Sequence, residues 1–258
     1  MISHKHLLTA AHCFFDPENW YIELFPSVYS EPTCSTPHIA ISVKNGGKLT
    51  IQSDFSEVSY SGQNIKIGYF WSIKGLVRAF RCHFRVISGH LLFIPVTLIQ
   101  NHSSHKDFAV STFKNDIAII ELDKRFPVLT EAGKNMTITP ICLPYSDLYL
   151  KFGEQLTVTG LGYLEYNGQS ATTLQQVKVE YIMEAICSQP GWYYNSFYPD
   201  VQLCAGFANG GYDACQGDSG GPLIFWDETV ERWFLVGIVS AGEGCALAKR
   251  PGIYSVLE

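Results

Sequence analysis

The chain has 258 residues, of which 47% are hydrophobic and 16% charged, and its formal net charge is −6 at pH 7. This apolar content excludes an intrinsically disordered chain and is enough for one or two domains with real cores. The acidic balance argues against a nucleic-acid partner and leaves no basic face for a membrane surface. The longest apolar run, HLLFIPVTLI at 90–99, contains a proline and is too short to cross a bilayer, so we expect no membrane span.

Eight cysteines are scattered singly along the chain, without any Cys-x-x-Cys pair. An even number at wide intervals favours disulfides formed in an oxidising compartment over a zinc site. Sequons at Asn101 and Asn135 are compatible with secretion. The opening segment, MISHKHLLTAAHCFF, has only a four-residue apolar stretch, which is too short for the core of a signal peptide. We therefore expect a protein of extracellular type whose sequence here shows no signal peptide.

Short strand-like runs separated by turn residues dominate the chain. After the first apolar run, the region from about 14 to 100 has no steady pattern and is interpreted as loop-rich with some strand. Residues 183–189 could form one or two helical turns. Many short strands at fairly regular spacing, without an internal repeat, predict an all-β barrel or sandwich. The clearest strand-like runs are NDIAIIELD (115–123), QLTVTGLGYL (155–164), TLQQVKVEYI (173–182) and RWFLVGIVSA (232–241).

Three separate segments could combine into one reactive site. His12 ends the run LLTAAHC, Asp116 precedes an apolar strand, and Ser219 lies in the glycine-rich stretch DACQGDSGGPLIF. A serine hydroxyl becomes a nucleophile when a base takes its proton, and the base needs an acid to orient it. Each segment alone has an ordinary reading, as a packed histidine, a turn aspartate or a tight turn. Their occurrence together, in the order His, Asp, Ser, favours a catalytic triad.

The blocks LTAAHC, NDIAIIEL and GDSGGPL resemble the three signature blocks of the chymotrypsin-like (trypsin family) serine proteases. The likeness covers residues 4–16 and about 107–258. It implies an all-β fold of two antiparallel β-barrels with the active site in the cleft between them. We expect an N-terminal barrel over 1–145, incomplete and carrying an atypical insertion at about 17–100, and a C-terminal barrel over 146–258.

The resemblance assigns a role to each candidate residue. Ser219 would be the nucleophile, His12 the general base and acid, and Asp116 the group that orients the histidine. The backbone N–H groups of Gly217 and Ser219 would form the oxyanion hole. Ser240 resembles the serine that hydrogen-bonds the buried aspartate. The implied reaction is hydrolysis of a peptide bond through an acyl-enzyme.

A specificity pocket is also implied by the resemblance. Asp213 stands where the floor of the pocket lies, and Gly242 and Gly252 resemble its walls, so Arg or Lys would precede the cut bond. The implied partners are protein or peptide substrates and possible protein protease inhibitors. No cofactor or metal is implied; a metal site at His102 and His105 is a remote alternative, because the pair lies in a polar loop without further ligands.

The resemblance pairs four of the cysteines, as Cys215–Cys245 and Cys187–Cys204. Where the family often has another bridge, between the strands at Leu156 and Phe225, both positions here are apolar. The pairing of four other cysteines stays open: Cys13, Cys34, Cys82 and Cys142.

Four features depart from the family pattern and support an alternative. Only eleven residues precede His12, so the first strands and the activation site of the family are missing, and His12 and Asp116 are about twice as far apart in sequence as the family usually places them. Ala241 stands where the family commonly has a tryptophan. The chain stops four residues after Tyr254. The stretch FRVISGH at 84–90 resembles an activation site but follows His12. The alternative is a catalytically impaired, truncated or mis-spliced homologue that acts at most as a protein-binding module.

Asp218 links these departures to activity. In the family the carboxylate before the nucleophile turns inward and pairs with a newly cut N-terminal ammonium. A buried carboxylate without a partner is costly, so without that ammonium we expect Asp218 to point outward. The Gly217 amide would then turn away from the substrate, and the polypeptide would have little activity.

Overall fold

The protein was described from a computed structural model, and almost all of its regular backbone is β-strand. The helices in the described part of the chain, α1 (Glu184–Cys187) and the 3₁₀ turns Ala11–Phe14 and Tyr194–Ser196, are too short to cross a membrane. The structure describes residues 5–14, 21–24, 41–44, 56–60, 63–67, 92–94, 99–123, 140–145 and 148–257. The strands in these ranges are β1 His6–Thr9, β2 Tyr21–Leu24, β3 Ile41–Lys44, β4 Ser56–Tyr60, β5 Gln63–Ile67, β6 Leu92–Ile94, β7 Ile99–Ser104, β8 Ala118–Leu122, β9 Gln155–Gly160, β10 Gln175–Ile182, β11 Gln202–Gly206, β12 Pro222–Asp227, β13 Arg232–Ala241 and β14 Gly252–Val256.

Six strands close into a barrel in the order β10-β11-β14-β13-β12-β9. These strands are rich in β-branched and aromatic residues, which fit the pleated, half-buried surface of a sheet. Each large aliphatic side chain removed from water stabilises the fold by about 1.5–3 kcal/mol. The barrel core consists mainly of Leu156, Val158, Val179, Leu203, Leu223, Val236, Val239 and Tyr254.

A separate three-stranded sheet has the order β1-β8-β7. Its strands β1 and β8 are antiparallel, and Leu7 is the register partner of Ile120, with both side chains fully buried. A one-residue slip of β1 would turn Leu7 to the other face, so this burial fixes the register. The sheet packs against Ile224 and Leu235 of the barrel, and the two share one apolar cluster.

The all-β, chymotrypsin-type fold class is therefore confirmed, as one closed barrel beside a second, incomplete sheet. Within the predicted insertion, the described residues form a three-stranded sheet, β3-β2-β6, and the hairpin β4-β5. The stretch 84–90, together with Cys34, Cys82 and Asn135, lies outside the described residues.

Three predicted strands are shorter than expected: the strand predicted over 173–182 begins at Gln175, and the other two are shortened for local reasons. The strand predicted over 155–164 ends at Gly160, because Gly160 and Gly162 lie so close to the Asp218 carboxylate that a Cβ would collide with it. The strand predicted over 115–123 begins at Ala118, since Asn115 has a left-handed φ of 53° that interrupts extended backbone.

The predicted disulfides, Cys187–Cys204 and Cys215–Cys245, are both present. The first joins α1 to β11, and the second joins the loop before Ser219 to the segment before β14. Leu156 and Phe225 are register partners on β9 and β12, so apolar packing fills the place where a bridge was considered.

Candidate active site

His12 and Asp116 form a buried pair at one end of the three-stranded sheet. His12 lies in the 3₁₀ turn after β1, and Asp116 lies two residues before β8; because Thr9 faces Ala118 in the register, the two segments are adjacent. The Oδ2 atom of Asp116 is 2.6 Å from His12 Nδ1, and its Oδ1 accepts the backbone N–H of His12 at 2.7 Å. Since an ionised carboxylate only accepts hydrogen bonds, Nδ1 carries the proton in this arrangement.

The C-terminal barrel holds the Asp116 end of this pair. Ser240 on β13 donates its hydroxyl proton to Asp116 Oδ2 at 2.6 Å, and Ser255 on β14 donates to the Asp116 backbone carbonyl at 2.8 Å. The ring of Phe113 meets the imidazole of His12 edge to face, with ring centroids 5.4 Å apart. The aspartate is fully buried, so each of its contacts acts where water cannot compete.

The loop of Ser219 packs directly against the segment that carries His12. Gly220 has a φ of +79°, and a Cβ at this position would collide with Thr9 Oγ1 and lie 3.3 Å from Cys13 Sγ. Only glycine combines this backbone conformation with so close an approach. His12 Nε2 lies 3.8 Å from Cys13 Sγ.

Gly217 is fixed on both sides by the 160–171 segment. It is buried and has a φ of +95°, a conformation that glycine adopts without strain. On one side the carbonyl of Gln216 accepts the N–H of Tyr163 at 2.7 Å, and on the other Asp218 Oδ1 accepts the N–H of Gly162 at 2.7 Å. The loop before Ser219 is therefore held in one conformation.

The expectation that Asp218 points outward is wrong. Its carboxylate turns inward, where Oδ1 accepts the N–H of Gly162 and Oδ2 accepts the N–H of Cys215 at 2.9 Å. Burial raises the pKa of Asp218 to about 6, although both backbone hydrogen bonds oppose the shift. Two amide donors thus offset part of the cost of burying the carboxylate. Among the described residues, none forms a salt bridge with it.

The Asp213 carboxylate lies beside Gly252. Its two oxygens accept the N–H groups of Ala214 at 2.8 Å and Ala246 at 3.0 Å. Burial raises the pKa of Asp213 to about 7, and the nearby Asp218 carboxylate adds to the rise. A side chain at Gly252 would lie 2.9 Å from Asp213 Oδ1, so glycine keeps the carboxylate accessible.

The surroundings of Gly242 and of Tyr254 bear on the expected specificity pocket. A Cβ at Gly242 would meet only Gly244 O at 3.8 Å, so this residue borders open space. The Tyr254 hydroxyl lies close to Gly252 and has no hydrogen-bond partner within the described part of the chain. This unsatisfied hydroxyl and the Asp213 carboxylate both lie against Gly252, where a polar ligand could bind them.

Sequence reasoning missed Ser255 and Tyr254 as site residues. Ser255 is 139 positions from its partner Asp116, and neither residue belongs to a local motif.

The two histidines of the alternative metal site make separate contacts: His102 stacks on Phe14 with ring centroids 4.4 Å apart, while His105 Nδ1 accepts the N–H of Asp107. The structure does not join them into one ligand set.

The raised carboxyl pKa values predict how stability depends on pH. Burial raises the pKa values of Asp213 and Asp218 to about 7 and about 6, so the folded state holds more protons than the unfolded chain between about pH 4 and pH 7. The free energy of unfolding should therefore fall as pH rises through this window. The contribution of Asp213 should not exceed about 4 kcal/mol.

Urea unfolding at several pH values checks this, with Asp213→Asn as the test variant. Asn cannot ionise, so the fall between about pH 4 and pH 7 should be smaller in the variant. Asp227→Asn is a control for a carboxyl group whose pKa is shifted in the other direction, because hydrogen bonds from Thr229 and Tyr145 lower the pKa of Asp227. Identical pH profiles for the unsubstituted chain and Asp213→Asn would contradict the argument.

Comparison with known proteins agrees with this geometry. The family model for trypsin matches residues 95–257, more than half of the chain. Transmembrane protease serine 11E of Mus musculus is 38% identical over 151 residues, covering 58% of this chain and 34% of that protein. Transmembrane protease serine 11B of Homo sapiens is 38% identical over 157 residues, covering 61% and 36%. For transmembrane protease serine 11C of Mus musculus the values are 38% over 173 residues, 66% and 38%.

The chain thus spans between 34% and 38% of the length of these three relatives. The family match rests on the part of the chain that contains β8, the closed barrel and the GDSGGPL block. By this match, the chain belongs to the trypsin family of chymotrypsin-like serine proteases.

Proposed function

We propose that this chain is a serine endopeptidase that cleaves peptide bonds after Arg or Lys. The observation that carries the proposal is the buried Asp116, which accepts hydrogen bonds from both the ring and the backbone of His12 beside the Ser219 loop. Packing of Gly220 against Thr9 and Cys13 supports the placement of the serine next to the histidine.

In the proposed reaction, Ser219 Oγ attacks the carbonyl carbon of the substrate. His12 Nε2 takes the hydroxyl proton, and Asp116 stabilises the resulting imidazolium through Nδ1. The backbone N–H groups of Gly217 and Ser219 would bind the oxyanion. His12 then gives its proton to the leaving amine, and water, deprotonated by His12, hydrolyses the acyl-enzyme and restores the Ser219 hydroxyl.

Asp213 would select the residue before the cut bond. A guanidinium or ammonium at the base of the pocket would pair with the carboxylate and reach the Tyr254 hydroxyl. The bound cation would also favour the ionised form of Asp213, whose pKa burial raises to about 7. Gly242 and Gly252 would leave room for a long basic side chain.

The setting proposed for this activity is extracellular. Two disulfides in the described residues indicate an oxidising compartment, and the matched relatives are named as transmembrane proteases. Protein or peptide substrates are the proposed partners, and protein protease inhibitors would bind the same cleft. We further propose that 1–145 and 146–258 form the two barrels of the enzyme, with the insertion at about 17–100 in the first.

A fluorophosphonate probe tests the proposal directly, because it reacts covalently with a serine that a neighbouring base activates. The purified chain should be labelled at Ser219, as located by peptide mass spectrometry. Labelling should be lost in Ser219→Ala and strongly reduced in His12→Ala. Ser111→Ala, at an exposed loop serine, is the matched control and should label normally. A folded chain that does not react would contradict the proposal and favour a protein-binding homologue.

A further inference from the structure

Gln202 is a buried amide that joins the C-terminal barrel to the loop before Asp116. It lies on β11 and is 1% exposed. Its Nε2 donates to the backbone carbonyl of Phe113 at 3.2 Å, and its Oε1 accepts the N–H of Tyr198 at 3.0 Å. Burying an amide is costly unless both ends find partners, and here one donor and one acceptor are used.

The loop that Gln202 contacts is conformationally strained. Phe113 and Asn115 have left-handed φ values of 55° and 53°, which residues other than glycine rarely adopt. Such conformations persist where surrounding contacts determine them. Besides the hydrogen bond from Gln202, the loop is held by Lys114, whose Nζ lies 3.9 Å from the centroid of the Tyr198 ring. The hydrogen bond from Gln202 and the Lys114–Tyr198 contact both connect the 113–115 loop to the segment 198–202.

This loop sets the environment of His12 on two sides. Phe113 places its ring edge to face against the imidazole, and Asp116, three residues later, holds Nδ1. Ser240 and Ser255 fix the Asp116 end from the barrel. At the Phe113 end, the hydrogen bond from Gln202 on β11 connects the loop to the barrel.

We propose that Gln202 is a positioning residue, which fixes the Phe113 carbonyl and thereby the orientation of the His12–Asp116 pair. The inference rests on the proposed function for its catalytic meaning, since a general base must hold its ring in one orientation to take a proton. The structural claim itself concerns only the imidazole and can be measured without any turnover.

The test uses NMR of the full chain labelled with ¹⁵N-histidine, in which the ring nitrogens and the Nδ1 proton of His12 are followed. Gln202→Met keeps the length of the side chain but removes both hydrogen bonds. Gln202→Glu separates them, because an ionised carboxylate still accepts the Tyr198 N–H but cannot donate to Phe113. Gln175→Met is the matched control, since Gln175 is an exposed residue on β10 of the same barrel.

In Gln202→Met the His12 ring resonances should move and its Nδ1 proton should exchange with water roughly five- to tenfold faster. In Gln202→Glu, the His12 resonances and the Nδ1 proton exchange should change in the same way while the glutamate is ionised. The change should disappear at low pH, where the protonated carboxyl group can again donate a hydrogen bond to Phe113. This second variant answers the question if Gln202→Met does not fold. His12 resonances that match the unsubstituted chain at every pH, even with a lower unfolding temperature, would overturn the proposal. So would an equal change in Gln175→Met. A chain that failed the fluorophosphonate test would still report on Gln202 here.

Discussion

Asp116→Asn should lower the rate at which Ser219 is acylated by about 10⁴-fold, with little change in the fold. The carboxylate accepts three hydrogen bonds, two from His12 and one from Ser240. In asparagine, an NH₂ group that donates hydrogen bonds replaces one of the two accepting oxygens. The oxygen that is replaced is the one that faces the imidazole.

The direction of the effect follows from the hydrogen-bond pattern. Oδ1 accepts the backbone N–H of His12, so the oxygen of an asparagine must stay at this position. Its NH₂ group then occupies the place of Oδ2, 2.6 Å from His12 Nδ1. Since the NH₂ donates, Nδ1 must accept, and the proton moves to Nε2. The histidine would then hold a proton where it should take one from Ser219.

Stopped-flow acylation by an Arg thioester measures this rate, with Asp116→Glu as a variant that keeps an accepting carboxylate. A matched control is Asp107→Asn, at an exposed aspartate of the same loop, which should react at the unsubstituted rate. An Asp116→Asn chain within tenfold of the unsubstituted rate would show that His12 does not depend on this aspartate.

Local patterns in the sequence predicted three of the six barrel strands, β9, β10 and β13, and singled out His12, Asp116 and Ser219 as candidate site residues. The apolar runs of β8 and β13 and the glycines around Ser219 are short-range signals that can be recognised in a single sequence. The adjacency of His12 and Asp116, which are 104 positions apart, was predicted from the chemistry of a triad and from the resemblance, because no local pattern links the two residues. In the folded chain, the pairing of β1 with β8 brings His12 and Asp116 together.

Sequence reasoning failed where a contact depends on the direction of backbone amides. The position of Asp218 was predicted from the cost of burying a charge, but the N–H groups of Gly162 and Cys215 point into the same space and reduce that cost. Ser255 and Gln202 each contact a residue about 90 to 140 positions earlier through a single side-chain atom. No periodicity encodes such contacts, so only the folded chain reveals them.

Asp213→Ser should lower kcat/KM for Arg substrates by about 10²- to 10⁴-fold, because the substrate cation would lose its buried partner. Cleavage after an apolar residue should be affected far less, since Ser219, His12 and Asp116 are untouched. Asp227→Ser is the matched control: Asp227 is also a buried aspartate of the C-terminal barrel, but its partners are Tyr145 and Thr229. An Asp213→Ser chain that kept its preference for Arg would place the determinant elsewhere.

The same carboxylate predicts a pH dependence that separates binding from the chemistry of His12. Burial raises the pKa of Asp213 to about 7, so below this pH the group is increasingly neutral and cannot pair with a guanidinium. The ratio of kcat/KM for an Arg substrate to that for its neutral isostere, citrulline, should therefore rise with pH, by up to about tenfold per unit, and level off above pH 7. Taking the ratio cancels the ionisation of His12, which both substrates require. The rise should disappear in Asp213→Ser, and a ratio that stayed constant from about pH 5 to pH 9 would show that Asp213 does not meet the substrate cation.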